Sequence, residues 1–301
     1  MLFFAVLEYA ILASTFTIAK IAIGHADPLF LIGVRMVVAS PLMLLIHSFQ
    51  RHSSMLIKRA DCHWFFLVGI FHVFLPFIGE FWALQYVSSA KTAITYSLTP
   101  FIAAMLSFLL LKKQISKTQM LGLVIGLLGL LPIFASGDEI SYLAGEFLSV
   151  SVPEVVLLLS VTSASYAWFI VADLMGKGYG ISFINGVAML IGGVLSFILW
   201  WLVGDPAPIN GSVSDFMLWT GLLILVANVI SYNFYGWLLR HMSINLMSAV
   251  GFLCPVFASI YGLVLLDEKL GASHLIALLM VGIGIYLFYR EEVRKSAKNT
   301  G

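Results

Sequence analysis

The sequence predicts an all-α, polytopic membrane protein whose ten transmembrane helices form two five-helix inverted repeats. The first observation is composition: 61% of the 301 residues are hydrophobic and 10% are charged, whereas soluble domains carry roughly 25% charged residues. The second is that apolar stretches long enough to cross about 30 Å of hydrocarbon as helices recur along the whole chain. The third is that the end of the sequence repeats its middle.

The apolar stretches give ten predicted spans. In chain order they are Leu2–Ile23, Leu29–Phe49, Trp64–Tyr86, Ser89–Leu111, Gln119–Phe134, Val152–Met175, Ile181–Val203, Phe216–Trp237, Ile244–Leu266 and His274–Tyr289. The first begins next to Met1 without a basic leader or a small-residue cleavage site, so we expect a retained helix. A polar stretch over residues 136–151 is the expected external connection. We therefore predict one repeat over residues 1–135, a second over 152–290 and a cytoplasmic tail over 291–301.

Two copies of one pattern become visible when the sequence is displaced by 155 positions. The matching anchors include Trp82 with Trp237, Pro100 with Pro255, and Gly129 with Gly284. Between these anchors, the pair Lys112-Lys113 falls on Asp267-Glu268. A repeat with an odd number of spans places its second copy upside down, so a cytoplasmic cationic loop becomes an external acidic one. The change of sign therefore predicts an inverted repeat.

Charges in the connecting segments predict the orientation. If the amino terminus is inside, the inner side holds Arg51, Lys58, Arg59, Lys112, Lys113, Lys117, Lys177, Arg240, Arg290, Arg294, Lys295 and Lys298. The outer connections then carry Asp138, Glu139, Glu146, Asp205 and Asp215. Cytoplasmic connections are enriched in Lys and Arg. Both termini are therefore expected in the cytoplasm.

Glycine and proline inside the spans predict close packing and local bends. Small-residue ridges run along the fifth span at Gly122, Gly126 and Gly129, and along the tenth at Gly282 and Gly284. Such ridges let helix backbones approach each other closely. Pro100 and Pro255, at matching places, predict kinks in the fourth and ninth spans. Each kink serves either as a hinge or as a packing device, and the sequence leaves both open.

Among the charged residues inside the predicted spans, three are candidates for a substrate site. A charged side chain at the bilayer centre costs about 2.5–3.5 kcal/mol even on a lenient insertion scale, so it usually faces a cavity or a partner. Glu80 either lines a substrate path or makes a hydrogen bond between helices. Glu8, near the amino-terminal end of the first span, either binds substrate or reaches lipid headgroups. Arg35 either pairs with a substrate carboxylate or snorkels to the headgroups.

Aromatic and polar side chains surround these charges on the predicted helix faces. Phe77 shares a face of the third span with Glu80, and the repeat places Tyr232 and Tyr235 at the matching positions of the eighth span. Asn228 lies one turn before Tyr232 on the same face. A face that mixes aromatic and polar groups suits a water-filled path better than lipid. We expect these side chains to contact a substrate.

Three further candidates come from the first, fourth and sixth spans. Thr15 shares the face of Glu8, and Trp168 lies near the pseudo-symmetric place in the sixth span. Trp168 either forms the opposite wall of a binding site or packs between helices. Tyr96 offers either a stacking and cation–π surface or a hydroxyl that hydrogen-bonds between helices.

The sequence contains no pattern typical of an enzyme or of a cofactor site. His72 lies deep within a span and either relays protons or packs. None of the histidines has metal-ligand spacing with cysteine or carboxylate, and neither a phosphate-binding loop nor a nucleophile elbow is present. We therefore expect no enzymatic activity, no cofactor and no metal. Basic residues form an inner rim, so no nucleic-acid partner is expected.

Several segments resemble a known family, the EamA branch of the drug/metabolite transporter superfamily. They are Ser14-Thr15-Phe16-Thr17-Ile18-Ala19-Lys20, Asp27-Pro28-Leu29 with Arg35, Ala83-Leu84-Gln85-Tyr86-Val87-Ser88-Ser89-Ala90, Leu98-Thr99-Pro100, Leu253-Cys254-Pro255-Val256-Phe257-Ala258 and Leu266-Asp267-Glu268-Lys269-Leu270. The resemblance covers nearly the whole chain in two copies. Lys113 departs from it, because such proteins commonly carry a glutamate there.

The resemblance implies a secondary carrier in the bacterial inner membrane with a central cavity between its two repeats. Family members move amino acids, amines, nucleotide-like metabolites or S-adenosylmethionine, and an S-adenosylmethionine or amino-acid substrate is expected here. Titration of Glu8 or Glu80 would make transport proton coupled; otherwise the protein is an exchanger or a facilitator. The alternative is a channel or a non-transporting membrane scaffold. The sequence leaves the oligomeric state open.

Overall fold

The computed structural model describes residues 1–49, 56–83, 86, 95–96, 98–134, 152–257, 260–261 and 272–299. Within these residues the regular structure is helical, apart from a single antiparallel bridge between Ala26 and Ile209. The predicted all-α class is therefore confirmed. The acidic pair Asp267-Glu268, which carries half of the predicted charge inversion, lies outside the described residues.

The helices of the described residues are labelled α1 to α10. They are α1 Leu2–Ile23, α2 Pro28–Ser48, α3 Arg59–Ala83, α4 Thr99–Leu111, α5 Lys117–Phe134, α6 Val152–Gly176, α7 Ile181–Val203, α8 Val213–Leu238, α9 Ile244–Phe257 and α10 Ala272–Asn299. Inside α3 and α8 the α-helix is interrupted by π-helical turns, at Gly69–Phe74 and Ile224–Ser231. A 3-10 turn, Gly251–Leu253, interrupts α9.

Five of these helices are long and apolar enough to cross a membrane: α2, α3, α6, α7 and α8. Shorter apolar stretches among the described residues are Leu2–Thr15, Thr99–Leu111, Lys117–Gly129 and Ile244–Phe257. The protein is therefore a multi-pass membrane protein. Ten crossings remain a prediction.

Helix ends mostly follow the predicted spans, with differences of a few residues at several places and a larger one at the carboxyl end. Helix α10 continues to Asn299, so the segment predicted as a tail is helical over most of its length. Pro100 lies in the first turn of α4, where its missing N–H would have no intrahelical partner in any case. Pro255 lies two residues after the last residue of the 3-10 turn of α9, close to this local distortion of the helix.

Helices α2 and α7 pack against each other in antiparallel fashion. A Cβ on Gly33 would lie 2.8 Å from the ring of Phe197, and a Cβ on Gly186 would lie 2.9 Å from the side chain of Leu44. As residue numbers rise along α2, the contacted residues in α7 fall. Each helix thus receives a large side chain of the other at a glycine. The contact is reciprocal, as expected for two related elements facing each other.

Helices α5 and α10 form the second close antiparallel pair, and their backbones touch. A Cβ on Gly122 would lie 2.6 Å from the carbonyl oxygen of Gly284, and a Cβ on Gly284 would lie 2.5 Å from the carbonyl oxygen of Gly122. Further along, Gly129 faces Met280. The predicted close packing at these ridges is confirmed for α5 and for Gly284, whereas a Cβ on Gly282 would meet no described atom within 4 Å.

Two further antiparallel pairs join the halves, α1 with α8 and α3 with α6. In the first pair, Phe4 stacks edge-on against Trp237 near the amino terminus of α1. In the second, the hydroxyl of Ser163 donates to the carbonyl oxygen of Phe71 at 3.0 Å, and a Cβ on Gly79 would clash with Ser160. These two pairs hold most of the polar side chains described next.

The π-helical turns of α3 and α8 begin at Gly69 and Ile224, 155 residues apart, which is the displacement that superposes the two copies of the sequence pattern. A π-helical turn adds one residue to a helical turn and rotates the residues that follow it. The distortion therefore precedes the candidate site residues in both helices: Phe77 and Glu80 in α3, and Tyr232 and Tyr235 in α8.

Candidate functional site

Polar and aromatic side chains meet in the interior of the helix bundle, where α1, α2, α3, α6 and α8 face one another. Arg35 is 5% exposed and Asn228 is fully buried. Phe77, Glu80 and Tyr232 are half-buried. Charged and polar groups in such a place need partners, because an unpaired buried polar group is costly. The partners connect the two halves of the chain.

Arg35 of α2 and Asn228 of α8 form the central contact. The Nε of Arg35 donates to the Oδ1 of Asn228 at 2.6 Å, and the Nδ2 of Asn228 points at the sulfur of Met36 at 3.2 Å. The guanidinium of Arg35 also lies 4.9 Å from the ring centre of Phe77. Arg35 therefore faces protein, and the alternative that it snorkels to the headgroups is wrong.

Glu80 lies on the other side of this arginine. Its carboxylate accepts a hydrogen bond from the hydroxyl of Tyr96, and it lies within electrostatic reach of Arg35. Glu80 and Tyr96 thus make the contact between helices that the sequence allowed as one of two alternatives. A positive and a negative group are held close together inside the membrane protein.

An aromatic cluster of Trp168, Tyr232, Tyr235 and His72 adjoins these charges. The ring of Trp168 lies 4.1 Å from that of Tyr235 and 6.0 Å from that of Tyr232, to which it is nearly parallel. His72 meets Trp168 edge-on at 4.6 Å. Both ring nitrogens of His72 lack a hydrogen-bond partner among the described residues. Trp168 is half-buried, so part of its surface is open to contact.

Glu8 lies apart from Arg35, in the contact between α1 and α8. Its side chain is fully buried and accepts a hydrogen bond from the hydroxyl of Ser231. The alternative that Glu8 reaches lipid headgroups is therefore wrong. Next to it, Tyr9 and Tyr235 share a hydrogen bond, with ring centres 6.3 Å apart.

Thr15 does not join these contacts through its hydroxyl, which donates to the backbone carbonyl of Leu12 in the same helix at 2.6 Å. The structure thus brings together nine of the ten residues named from the sequence, in three contacts that lie side by side. These are the Arg35 contact with Asn228, Phe77, Glu80 and Tyr96; the aromatic contact of Trp168 with Tyr232 and Tyr235; and Glu8 beside Tyr235.

Sequence reasoning missed Tyr9, Ser231 and Met36, which complete these contacts. Tyr9 and Ser231 adjoin the named residues Glu8 and Tyr232 in sequence, so neighbouring polar groups in the same span were the signal available. Met36 carries no such signal, because methionine is common in any apolar helix.

A polar contact lies at one end of the α3 and α6 pair. The ammonium of Lys177 donates to Asp173 at 3.0 Å and to Asp61 at 3.2 Å, and the hydroxyl of Tyr179 donates to Asp61 at 2.9 Å. The hydrogen bonds to Asp173 and Asp61 raise the pKa of Lys177 above its usual value. This contact joins residues from segments predicted to lie on the inner side.

No group of three or more histidine, cysteine, aspartate or glutamate side chains in the described part of the chain could hold a metal ion. The side chains of the site offer a cation, a carboxylate, an amide and aromatic faces. Such a set can bind a small solute that carries both charges and a ring.

Comparison with known proteins finds transporters among the relatives of this chain. An S-adenosylmethionine/S-adenosylhomocysteine transporter of Chlamydia muridarum is 31% identical over 98% of this chain and 93% of its own length. The one of Chlamydia trachomatis serovar D is 30% identical over 98% and 90%. The uncharacterized inner membrane transporter YedA of Escherichia coli K12 is 26% identical over 93% and 90%.

A protein of known crystal structure matches 95% of this chain and 93% of its own with a TM-score of 0.73 and 16% identity, which shows a common fold. The model of the EamA-like transporter family matches residues 1–135 and 153–290. The resemblance read from the sequence is confirmed, and these matches indicate a transporter and not an enzyme. The chain belongs to the EamA-like transporter family and is a multi-pass membrane transporter.

Proposed function

We propose that the protein is an alternating-access carrier of S-adenosylmethionine and S-adenosylhomocysteine. The observation that carries this proposal is the pairing of a buried Arg35 and a nearby Glu80 with the stacked rings of Trp168 and Tyr232. Both solutes consist of an amino-acid head group joined to an adenosine. The two relatives that move these solutes resemble the chain over nearly its full length.

The charged half of the site suits the amino-acid head group. Arg35 would bind the carboxylate through two parallel hydrogen bonds, since the geometry of a guanidinium matches that of a carboxylate. Glu80 would bind the ammonium on the same carbon. Until the solute arrives, Asn228 and Tyr96 provide hydrogen bonds to these two side chains. The site is thus complementary to a zwitterion without carrying a large net charge of its own.

The aromatic half suits the adenine. Trp168 and Tyr232 are both half-buried, so their faces can stack on a planar base. Stacking of a base on an aromatic side chain is worth about 1–3 kcal/mol. The same faces tolerate the positive sulfonium of S-adenosylmethionine through cation–π attraction. A plain amino acid would use the charged half alone and would bind more weakly.

The antiparallel pairing of helices supports alternation between two open states. We expect residues 1–135 and 152–290 to be two five-helix inverted repeats, joined by an external connection over residues 136–151. Pairs α2–α7 and α5–α10 touch through glycines and are suited to act as pivots. Pairs α1–α8 and α3–α6 flank the polar residues and would part at opposite ends. Ten crossings would place both termini on the same side, and the Lys and Arg residues of the inner connections favour the cytoplasm as that side.

Thermal unfolding of the purified protein with candidate solutes tests the substrate. A ligand that binds the folded state raises the midpoint by mass action. We expect S-adenosylmethionine and S-adenosylhomocysteine to stabilise the protein strongly, and methionine or adenosine alone to do so weakly. Stabilisation by methionine equal to that by S-adenosylmethionine would remove the adenosine half of the proposal and favour an amino-acid carrier.

A pair of tryptophan variants provides the matched control. Trp168→Ala is expected to abolish most of the stabilisation by S-adenosylmethionine. Trp201→Ala removes the same side chain from a position that is 78% exposed on α7 and should leave the stabilisation intact. Equal responses of the two variants would exclude Trp168 from the site.

A further inference from the structure

Glu8 is enclosed in the contact between α1 and α8. It lies about 9 Å from the start of α1, since six residue steps of α-helix rise 1.5 Å each. On the terminal side, Phe4 packs edge-on against Phe234 and Trp237, with ring centres 6.3 and 5.8 Å apart. These three rings separate Glu8 from that end of the helices. The carboxyl group is fully buried behind them.

Among the described residues, only one of the two carboxyl oxygens of Glu8 has a hydrogen-bond partner. The Oε1 accepts from the hydroxyl of Ser231 on α8. The Oε2 is buried and has no hydrogen-bond partner among the described residues. A carboxylate usually gathers several donors when it is buried, because its charge has lost the water that solvated it.

The titratable groups that act on Glu8 offer no positive charge. They are Tyr9 on α1 itself, Tyr235 on α8 and Cys254 on α9. The arginine of α2, Arg35, faces Asn228, Phe77 and Glu80. Among the described residues, therefore, no cation is placed to balance an ionised Glu8.

Glu80 provides the contrast within the same molecule. It lies within electrostatic reach of Arg35 and accepts a hydrogen bond from Tyr96, so its negative charge is compensated. Glu8 has one hydroxyl donor, and its titratable neighbours are two tyrosines and a cysteine. Of these two glutamates, only Glu8 has an environment that disfavours the ionised form throughout.

We propose that Glu8 is a proton-binding site that governs the closing of α1 against α8. The contact forms when Glu8 carries a proton, and it parts when Glu8 loses the proton to water entering from the amino-terminal end of α1. This inference rests on the proposed carrier cycle, in which these helices separate and rejoin. It assigns Glu8 a role separate from substrate binding, which was one of the two alternatives that the sequence left open.

The direct test is the pH dependence of exchange in proteoliposomes with equal pH on both sides. Exchange needs the contact to close once in every cycle, so the rate of wild type should fall by up to about tenfold per pH unit once Glu8 begins to ionise. Glu8→Gln, which keeps the shape and cannot ionise, should exchange at a rate independent of pH over that range. Glu8→Asp is the matched control and should retain a pH dependence.

Two results in that assay would overturn the inference. One is a Glu8→Gln variant whose exchange falls with pH as in wild type. The other is a Glu8→Gln variant that folds and no longer binds S-adenosylmethionine at any pH, because Glu8 would then belong to the substrate site.

Infrared spectroscopy separates this inference from the proposed substrate. A protonated carboxylic acid has a carbonyl stretching band that a carboxylate lacks. We expect this band in wild type and in Glu80→Gln, and its loss in Glu8→Gln. If wild type shows the band but does not exchange S-adenosylmethionine, the substrate proposal fails and the proton site stands. If Glu8→Gln leaves the band unchanged, or wild type has none, the proton site fails.

Discussion

Replacement of Gly284 by alanine tests the contact between α5 and α10. The added Cβ would lie 2.5 Å from the carbonyl oxygen of Gly122 and 2.9 Å from the backbone nitrogen of Gly126. Ordinary contacts lie near 3.5–4.0 Å, so the two backbones must move apart by about 1 Å. Overpacking costs about 1–3 kcal/mol, and a contact with backbone atoms belongs at the upper end of this range.

The assay is thermal unfolding of the purified protein in detergent. At about 2–4 °C per kcal/mol for a chain of this size, the midpoint of Gly284→Ala should fall by the order of 5–10 °C. Gly282→Ala is the matched control on the same helix, because its Cβ meets no described atom within 4 Å. The control should unfold at the wild-type temperature or slightly above it, since alanine favours helix over glycine. Equal midpoints for the two variants would refute the reasoning.

Three further predictions concern the site and its surroundings. Trp168→Ala should weaken binding of S-adenosylmethionine by about 5-fold to 100-fold, measured by titration calorimetry, whereas an unchanged affinity would contradict stacking on this ring. Asn228→Leu leaves the Nε–H of Arg35 buried without its acceptor and should lower stability by about 3 kcal/mol; a wild-type unfolding midpoint would show that this hydrogen bond adds nothing. Because hydrogen bonds to two carboxylates raise the pKa of Lys177, its contribution to stability is present below the ordinary lysine pKa of about 10.4 and is lost only above it. The stability difference between Lys177→Met and wild type should therefore be small and constant from about pH 6 to 9, and a difference that changes with pH in this range would contradict the assignment.

The helices could be predicted because their length is imposed by the membrane. Ile181–Val203 was predicted at the bounds that the structure has, since a run of apolar residues of this length must satisfy its backbone hydrogen bonds as a helix. The residues of the candidate site could be predicted for a related reason. A charged or polar residue such as Arg35 or Asn228 costs free energy inside a membrane span, so its presence there indicates a buried polar contact or a functional site.

The partners of those residues could not be predicted from the sequence. Arg35 and Asn228 are 193 positions apart, and their contact depends on how α2 packs against α8. Depth along a span also does not tell whether a side chain faces lipid or protein, which is why the headgroup alternatives for Glu8 and Arg35 were open and proved wrong. Met36 carried no signal, since methionine is common in any apolar helix.

Counterflow of labelled S-adenosylmethionine is the most direct test of an alternating-access carrier. Proteoliposomes loaded with unlabelled S-adenosylmethionine or S-adenosylhomocysteine are diluted into a trace of labelled S-adenosylmethionine. The account predicts a transient accumulation of label above its external concentration, which saturates with internal substrate and is lost in Trp168→Ala. Label that only equilibrates, at a rate rising linearly with concentration, would indicate a channel and contradict it.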